Sequence, residues 1–405
     1  MDAWQGGVNI ARDIGHLPRL GVLDLHPIQY HTPLYQRLTA RANVRLDVLY
    51  LSEHGLKPVL DPGFGVPIAW DIDLLSGYEH EFLARSLSAR ARRLARWLRC
   101  HDTVVTYGHS NPWMLAGAAG SRALGVPYLL RGDSGPHGQS GGIRGALRYA
   151  IARAVVSGSA GGLAVGHRNE LFYARYGASR IVFAPHSVDN ERFARPPAVG
   201  RPELLARWGL DDRYPVIMFC GKLKPAKRPL DLAAAVGRLG TRVTVLFVGG
   251  GDLAGQVGSM LPQGRGVVTG FVNQAELPSY YHAADILVLP SQSEPWGLVI
   301  NEAMTAGVLP IVSDRVGCAP DLVAGLGEVY PCGDVEALTA ALHRGLARIG
   351  DPGLAGLLRR RVDGYGIDAT AAGFEQAVTA VATVGRRPSD KGPCTGRGSR
   401  FRSSR

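Results

Sequence analysis

Two glutamates separated by seven residues carry the most informative chemistry in the sequence. Glu294 and Glu302 belong to SQSEPWGLVINEAMTAGVLPIVSD, residues 291–314, which lies between two apolar, strand-like runs. Pro295 disfavours helical geometry at Glu294 and suits the first turn of a helix, so we expect Glu294 in a loop and Glu302 inside the helix that follows. The start of this helix presents unpaired N–H groups, which bind phosphate well. These donors belong to Gly297, Leu298 and Val299.

A carboxylate on either side of a phosphate site suits the two hydroxyl-rich ends of a nucleotide sugar. In this interpretation one glutamate holds the sugar and the other holds the ribose. Gly297 would let the ligand approach the backbone closely, because it has no side chain. Taken alone, the same stretch also fits an ordinary capped helix with a solvated glutamate.

A basic loop follows another apolar run. Lys222 and Lys227 lie in FCGKLKPAKRP, residues 219–229, together with Gly221. Two ammonium groups turned into one cleft would neutralise the charge that builds on a departing diphosphate. Loop lysines are usually solvated, and the pair by itself leaves that alternative open.

A glycine turn follows the next strand-like run, in FVGGGD at residues 247–252. Gly249 and its neighbours fit either a close approach of the backbone to a ligand or a tight turn. The segment lacks a G-x-G-x-x-G pattern, which argues against a dinucleotide-dependent dehydrogenase.

Strand-like runs that alternate with helix-like segments must position these residues. Val, Ile and Leu runs without polar alternation are typical of strands buried on both faces. Pro229–Leu239 and Leu298–Ala306 have helical spacing. The alternation predicts an α/β fold of two doubly wound Rossmann-like domains that face each other across a cleft. The strand-like runs are RLGVLDLHP, VRLDVLYL, TVVTYGH, PYLLRGD, GLAVG, RIVFAP, PVIMFCGKL, TVLFVGGGD, VVTGFV, DILVLPS and LPIVSD.

Length and composition also favour two domains. The chain has 405 residues, 46% hydrophobic and 20% charged, which is typical of a globular protein with more than one core. Prolines and a glycine interrupt regular structure at Arg195–Pro202, which we interpret as the interdomain linker. The predicted organisation is an N-terminal extension, an acceptor-side domain, a donor domain whose last helix can pack back on the first, and a disordered basic tail. Their bounds are 1–19, 20–195, 196–385 and 386–405.

Much of the positive charge lies in that tail. Residues 386–405 hold seven Lys or Arg and one Asp, a balance of +6 out of a net charge of +11, so nucleic-acid binding is not expected. No apolar run is long enough to span a bilayer, and the first residues lack a secretory signal pattern. The five cysteines lack metal-ligand spacing. We therefore expect a cytoplasmic protein.

A basic helix is predicted around residue 92. Leu83, Leu87, Ala91, Leu94 and Leu98 would share one of its faces. The helix either packs this face on the first domain as an ordinary surface helix or rests on an anionic membrane, at the inner face. The remaining surface is crowded by Arg85, Arg90, Arg92, Arg93, Arg96 and Arg99.

The order of these segments is similar to that of the family-4 retaining glycosyltransferases, which have the GT-B fold. The hallmark of that family, two glutamates with seven residues between them, is matched by Glu294 and Glu302. Its basic pair at the opening of the second domain is matched by Lys222 and Lys227, the first of which is Arg in most members. The resemblance spans roughly residues 20–380 and is strongest from 215 to 335.

Two stretches of the first domain depart from the family pattern. APHSVDNERF, residues 184–193, is similar to a Pro-Asn-Gly-Val-Asp stretch of the family, but His186 and Ser187 replace the Asn and the Gly. Many members carry a Gly-Gly pair in the loop after the first strand. Here that loop reads HPIQYHTPLYQRL and contains no glycine, which puts its contacts with donor or acceptor in doubt.

The resemblance implies a function and a role for each matched residue. Family members often place a histidine after a first-domain strand, facing the sugar, and His109 is the best positional match, with His26 and His31 weaker. Asp133 follows the next strand on the acceptor side. Glu294 would contact the sugar and Glu302 the ribose. The diphosphate would lie on Lys222 and Lys227 with the backbone of Gly297 and Leu298, and the base near Phe271 and Val272.

The implied reaction is retaining transfer of a sugar from a nucleotide-diphosphate sugar to an acceptor hydroxyl. The acceptor would be a glycan, a lipid-linked molecule or a small molecule. The donor region contains no Asp-x-Asp motif, so neither a divalent metal nor another cofactor is implied. A nucleotide-sugar 2-epimerase and a catalytically silent nucleotide-sugar binding protein stay open as alternatives.

Overall fold

The computed structural model describes residues 17–61, 63–84, 86–135 and 142–382. The predicted basic tail, most of the predicted N-terminal extension and Arg85 lie outside the described residues. Within those residues the chain forms two parallel sheets packed with helices and one small antiparallel hairpin. Strands and helices are numbered separately along the chain.

The first sheet belongs to the first half of the chain. Its strands are β1 Arg19–Asp24, β2 Arg45–Tyr50, β5 Glu79–Phe82, β6 Thr103–Tyr107, β7 Tyr128–Gly132, β8 Gly161–Ala164 and β9 Ile181–Phe183. The helices of this region are α1 Thr32–Arg41, α2 Leu87–Arg99, α3 Pro112–Ala123, α4 Gly142–Ser157 and α5 His167–Arg175. The strands pair in parallel in the order β5-β2-β1-β6-β7-β8-β9.

The second sheet belongs to the second half. Its strands are β10 Val216–Cys220, β11 Thr244–Val248, β12 Gly266–Gly270, β13 Ile286–Leu289, β14 Leu309–Ser313 and β15 Glu328–Tyr330. The helices of this region are α6 Asn190–Ala194, α7 Arg201–Arg207, α8 Pro229–Arg238, α9 Ala254–Met260, α10 Leu277–Ala283, α11 Leu298–Ala306, α12 Val335–Leu346, α13 Leu354–Asp363 and α14 Ile367–Ala382. The strands pair in parallel in the order β12-β11-β10-β13-β14-β15.

Both sheets are doubly wound, which confirms the predicted fold class. In each sheet the strand order reverses beside the first strand, between β1 and β6 and between β10 and β13. Such reversals open a crevice at the carboxyl ends of the strands, where ligands bind in folds of this kind. Neighbouring strand residues such as Val22 and Leu23 are both fully buried although they point to opposite faces. This two-sided burial explains the continuous apolar runs in the sequence.

The sequence-predicted strands are all present, but four others were missed. β5 and β15 are edge strands, and their sequences, EHEF and EVY, contain no apolar run. The other two, β3 Val59–Asp61 and β4 Val66–Ile68, form an antiparallel hairpin that is separate from both sheets. These four strands are short and only partly buried, so their sequences lack the apolar run that marked the others, including the edge strands β9 and β12.

The basic helix α2 buries only part of the face that was predicted. Leu94 and Leu98 are buried with Trp97 in the first domain, whereas Leu87 is 75% exposed and Ala91 is also exposed. Leu83 is buried in the same cluster but lies before the helix, which begins at Leu87. The Trp97 indole N–H donates to Asp47 at 3.1 Å.

The last helix, α14, packs against the first sheet although it follows the second sheet in sequence. Phe374 is fully buried in the cluster that also contains Leu20 and Val48. At its edge the Arg41 guanidinium donates to both carboxylate oxygens of Glu375, at 2.8 and 2.9 Å. The chain therefore crosses between its two halves twice. The first crossing lies between Ala184, which packs in the first core, and Val188, which packs in the second. The segment predicted as the linker lies after this crossing: residues 195–200 form no helix or strand but follow α6, and Pro202 already belongs to the first turn of α7.

Candidate active site

The two lysines predicted to bind diphosphate lie beside the crevice of the second sheet. Gly221 follows the end of β10 with φ of 141°, a conformation that favours glycine, and Lys222 comes next. Lys227 ends the short 3-10 turn Pro225–Lys227 just before α8. Both side chains are about one-third exposed, at 33% and 30%. The β10 loop therefore places two ammonium groups where the strand order reverses.

Glu294 lies in the loop after β13, across the crevice from these lysines, and its carboxylate pairs with the Lys227 ammonium group. The loop is held by its backbone, since the Glu294 carbonyl accepts a hydrogen bond from Gly317 N–H at 2.9 Å. Gly317 must lack a side chain, because a Cβ there would lie 1.7 Å from the Pro295 carbonyl oxygen. The structure thus brings Lys227 and Glu294 together.

The helix N-terminus predicted as a phosphate site is present. Gly297 precedes α11 with φ of 99°, and Leu298 and Val299 form the first turn in a half-buried position. A Cβ at Gly297 would come within 3.0 Å of Leu289, so the glycine fits both the conformation and the space. Since the first N–H groups of a helix have no partner within it, this end of α11 can donate to an anion in the crevice.

A cleft of about 540 Å³ joins the second-sheet loops to the first domain. Glu294, His109 and Asp133 all line it. The His109 ring stacks on Phe172 with centroids 5.5 Å apart, and burial lowers its pKa below the ordinary 6.5. Burial also raises the pKa of Asp133, which lies 4.0 Å from His186. The predicted acceptor-side residues therefore share one cavity with the predicted sugar-binding glutamate.

Glu302 occupies a different environment from Glu294. Its side chain is fully buried inside α11 and accepts hydrogen bonds from Tyr281 at 2.5 Å and Tyr30 at 3.0 Å. Burial raises its pKa from 4.5 to about 7, although both tyrosine hydroxyls oppose the shift. Tyr30 comes from the glycine-free loop after β1, so a first-domain hydroxyl covers the carboxylate that the resemblance assigns to ribose.

Phe271 and Val272 follow the end of β12, at the same edge of the sheet as the lysines. Val272 packs against the second-domain core. The Phe271 ring meets Phe64 at 5.1 Å and Trp70 at 6.3 Å, both in the segment around the β3–β4 hairpin. The position assigned to the nucleotide base is thus covered by aromatic side chains of the first domain.

Gly249 is explained by backbone packing. Its φ is 139°, and a Cβ there would lie 2.0 Å from the Gly221 carbonyl oxygen. The glycine allows the loops after β10 and β11 to touch. This backbone contact by itself requires a glycine at position 249, and the role in donor binding stays a prediction.

The weaker histidine candidates have other partners. His31 Nδ1 lies 2.7 Å from the Asp24 carboxylate, which is buried at the end of β1 and also accepts from the Tyr35 hydroxyl at 2.7 Å. His26 meets His54 edge to face at 5.0 Å. His31 thus belongs to a polar cluster beneath the first sheet's crevice, while His26 lies in a ring contact of its own.

Several residues at the cleft were missed by sequence reasoning. Tyr30 and Asp61 reach the second domain from loops of the first, and Arg168 and Arg315 line the cleft. The hairpin that carries Asp61 had a signal, VLDPGFGVPI, in which two apolar pairs flank a glycine-containing turn. No motif marked Tyr30 as a partner for Glu302, because that contact joins residues 272 positions apart.

Two doubly wound domains that meet across their crevices form the arrangement of the GT-B fold. Sequence comparison places the chain more narrowly. Residues 200–348 match the family of glycosyl transferases group 1, and the chain belongs to that family.

The chain is similar to several named glycosyltransferases. It is 34% identical to the D-inositol 3-phosphate glycosyltransferase of Streptomyces bingchenggensis, over 52% of this chain and 48% of the relative. It is 30% identical to the GDP-mannose-dependent alpha-(1-6)-phosphatidylinositol monomannoside mannosyltransferase of Mycolicibacterium smegmatis, over 62% and 69%. It is also 30% identical to the 2-deoxystreptamine glucosyltransferase of Streptomyces kanamyceticus, over 64% and 69%. The chain thus spans about half the length of the first relative.

Solved structures share the fold at low sequence identity. The Anabaena protein HepE in complex with UDP has a TM-score of 0.67 at 15% identity and covers 87% of this chain and 97% of its own. A glycosyltransferase from Rickettsia africae has a TM-score of 0.70 at 12% identity, over 90% and 99%. Among the residues described for this protein, no helix is both long and apolar enough to cross a bilayer.

Proposed function

We propose that the protein is a family-4 retaining glycosyltransferase that moves a sugar from a nucleotide-diphosphate sugar to an acceptor hydroxyl. The reaction would serve the synthesis of cell-surface glycans, glycolipids or polysaccharides. One observation carries the proposal: Lys227 pairs with Glu294 beside the N-terminus of α11, and Lys222 lies on the same loop after β10, at the crevice of the second sheet. The similarity to named glycosyltransferases supports it.

The second domain would bind the donor through its cations. Breaking the bond between the anomeric carbon and the phosphate oxygen leaves negative charge on the diphosphate and positive charge on the sugar. Lys222, Lys227 and the first N–H groups of α11 stabilise the negative charge where it forms. This lowers the activation barrier of the transfer. This arrangement neutralises the diphosphate with protein groups, so the proposed reaction needs no divalent ion. Activity that survives excess EDTA would agree with this, and its complete loss would argue for a metal.

The cleft would hold the sugar and the acceptor. Glu294 orients the sugar hydroxyls once a diphosphate takes its place at Lys227. The acceptor oxygen attacks the anomeric carbon from the face that the phosphate leaves, and the leaving phosphate takes the acceptor proton, so configuration is retained. His109 and Asp133 face this reaction from the other wall of the cleft. The cleft suits a glycan, a lipid-linked acceptor or a small molecule.

We include a peripheral membrane contact in the proposal because of α4. Ile143, Leu147 and Ile151 are 89%, 60% and 38% exposed, and their spacing of four places them in one stripe. The layer of α2, α3 and α4 carries five, one and three arginines and no acidic residue. An apolar stripe on a strongly basic surface is complementary to anionic lipid. Arg148 and Tyr149 of α4 also line the cleft, so docking would bring its mouth to the bilayer.

Vesicle co-sedimentation tests this contact. We expect binding to phosphatidylglycerol vesicles but not to phosphatidylcholine vesicles, and a loss of at least about 10-fold in Ile143→Ser/Leu147→Ser. Leu357→Ser is the matched control, because Leu357 is 42% exposed on α13 of the second domain. Equal binding of both variants would contradict the role of α4. Cell fractionation would test the proposed location, at the cytoplasmic face of the inner membrane.

The central experiment is a nucleotide binding panel by calorimetry and thermal shift. UDP, GDP, ADP and dTDP are titrated into wild type, Lys222→Ala/Lys227→Ala and the control Lys57→Ala, in which an exposed lysine is removed. A ligand at 100 times its Kd stabilises the folded state by about 2.7 kcal/mol. Tight binding of one nucleotide, lost only in the double variant, would support the proposal. Turnover of the donor sugar without an acceptor would instead favour an epimerase, and binding without turnover a silent protein.

A further inference from the structure

Three side chains of the first domain rest on the three parts of the second domain that are proposed to bind the donor. Asp61 pairs with Lys222, Phe64 covers Phe271, and Tyr30 donates to Glu302. We call Tyr30, Asp61 and Phe64 the mimic group. Each member has the chemistry of the ligand part that its partner would take: an anion on a cation, a ring on a ring and a hydroxyl on a carboxylate.

The Asp61 contact is a well-formed ion pair. The Lys222 ammonium group lies 2.8 Å from each carboxylate oxygen, so it bridges the carboxylate as it would bridge two phosphate oxygens. Burial opposes ionisation of Asp61, but the Lys222 pair and the Gly63 N–H hold its pKa below the ordinary value. The side chains are 24% and 33% exposed, so water reaches the pair and an incoming anion can replace the carboxylate.

The Phe64 contact places an aromatic ring, edge to face, against the side chain assigned to the nucleotide base. Its ring lies 5.1 Å from the Phe271 ring, and the Lys222 ammonium group lies 4.9 Å above the Phe64 ring. Phe64 follows Asp61 in the tight turn between β3 and β4, and that turn packs on the glycine loop after β11. A Cβ at Gly251 would come within 3.0 Å of the Gly63 carbonyl oxygen. The hairpin can therefore pack directly against the backbone of Gly251.

The Tyr30 contact completes the set. Its hydroxyl lies 3.0 Å from one oxygen of the buried Glu302, while Tyr281 holds the other oxygen. A ribose hydroxyl could use the Tyr30 position with the same geometry, because it also donates to a carboxylate. Glu302 can contact ribose only after Tyr30 leaves.

We propose that the mimic group occupies the donor site from within the chain and is displaced by a nucleoside diphosphate. The inference rests on the proposed function, since it assumes that Lys222, Phe271 and Glu302 bind the donor. In the free protein the mimic group pairs the charges and covers the ring, so the empty site stays closed. The donor must compete with all three contacts, whereas a fragment displaces only the contact that it matches.

Nucleotide affinity in single variants tests the displacement. Asp61→Asn removes the competing charge with little change in shape, and we expect it to tighten nucleoside diphosphate binding by roughly fivefold. Tyr30→Phe and Phe64→Ala should also tighten it. Asp61→Asn should also tighten the binding of inorganic pyrophosphate. Tyr30→Phe should leave that affinity unchanged, because pyrophosphate carries no hydroxyl for Glu302. In a Lys222→Ala background the gain from Asp61→Asn should vanish.

Asp73→Asn is the matched control. Asp73 lies in the same segment and carries the same charge, but it accepts from the N–H groups of Leu75 and Ser76 in its own turn. The nucleoside diphosphate affinity of Asp73→Asn should equal that of wild type. Unchanged or weaker binding in Asp61→Asn, with normal binding in wild type, would overturn the inference alone. Absence of binding in wild type and in every variant would overturn the proposed function as well.

Hydrogen exchange gives a second readout that does not depend on a variant. Displacement predicts faster amide exchange in residues 59–68 of wild-type protein when the nucleoside diphosphate that binds is added. Slower exchange would show that the hairpin closes over the ligand, and it would overturn the inference.

Discussion

The two domains bring different chemistry to the proposed donor site. The second domain offers cations and a helix N-terminus on loops that follow fully buried strands, with Lys222 after β10 and Gly297 before α11. The first domain contributes an acid, a hydroxyl and aromatic rings. The acid, Asp61, lies outside its main sheet. In the proposed reaction, the second domain is thus the receptor for an anion, while the first domain supplies the side chains that the donor displaces and the acceptor wall.

The last helix, α14, stabilises the first domain although it follows the second domain in sequence. Phe374 follows the second domain in sequence but is fully buried with the first-domain core, where the Arg131 guanidinium lies 5.1 Å from its ring. Phe374→Ala should therefore lower the free energy of unfolding by about 3–5 kcal/mol, because it leaves a cavity. Urea denaturation measures this loss. Leu171→Ala, a 47% exposed leucine on α5, should lose less than about 0.5 kcal/mol. Equal losses would show that α14 adds little to the first core.

In the second domain, the buried acid Glu302 makes the stability of the protein depend on pH. Its pKa rises from 4.5 in the unfolded chain to about 7 in the folded protein, so the folded state holds its proton longer. Stability from this group is complete below about pH 4.5 and is lost as pH rises through about 7. Glu302→Gln removes this dependence. The stability of the variant relative to wild type should rise by about 3 kcal/mol over that range, as measured by denaturation at several pH values. Parallel curves would contradict the raised pKa.

The sequence predicts every interior strand of both sheets but only two of the four edge strands. The interior strands are covered on both faces, and such burial demands a continuous apolar run, as in VIMFC of β10. β5 and β15 contain polar residues, so no run marks them, whereas the edge strands β9 and β12 keep apolar runs and were predicted. The sequence predicted parallel, doubly wound sheets, but it predicted neither the order nor the register of their strands.

The residues of the candidate site also differ in how well the sequence predicts that they lie together. The second-domain residues lie within short strand-loop-helix segments, where spacing along the chain predicts proximity. Contacts between domains have no such local signal: Lys222 and Asp61 are 161 positions apart, and nothing in either loop specifies the other. Gly249 shows a different limit, because a glycine needed for backbone packing looks the same in a sequence as a glycine needed for a ligand.

Glu294 is expected to matter more for turnover than for donor binding. Glu294→Ala removes the group that orients the sugar but leaves Lys227 free for the diphosphate, so kcat should fall by about 100-fold while the donor Kd changes little. Steady-state kinetics with the donor and calorimetry with the nucleotide separate the two quantities. Glu191→Ala is the control, since that side chain is 73% exposed and pairs with Arg195 at its own helix end. An unchanged kcat in Glu294→Ala would remove this residue from the reacting site.

His109 gives the smallest expected effect and the sharpest contrast between the two walls of the cleft. As a neutral hydrogen-bonding group facing the sugar, it should contribute about 10-fold to kcat, which His109→Ala would lose. Burial lowers its pKa below 6.5, so the neutral form prevails at pH 7 and protonation removes it only in acid. Wild-type activity should therefore fall on the acid side, below pH 6.5, and this limb should be absent in the variant. His343→Ala, at an exposed position on α12, should keep both the rate and the limb. If the limb persists without His109, another group titrates, and Glu302, with its pKa of about 7, and His186 beside Asp133 become the residues to replace next.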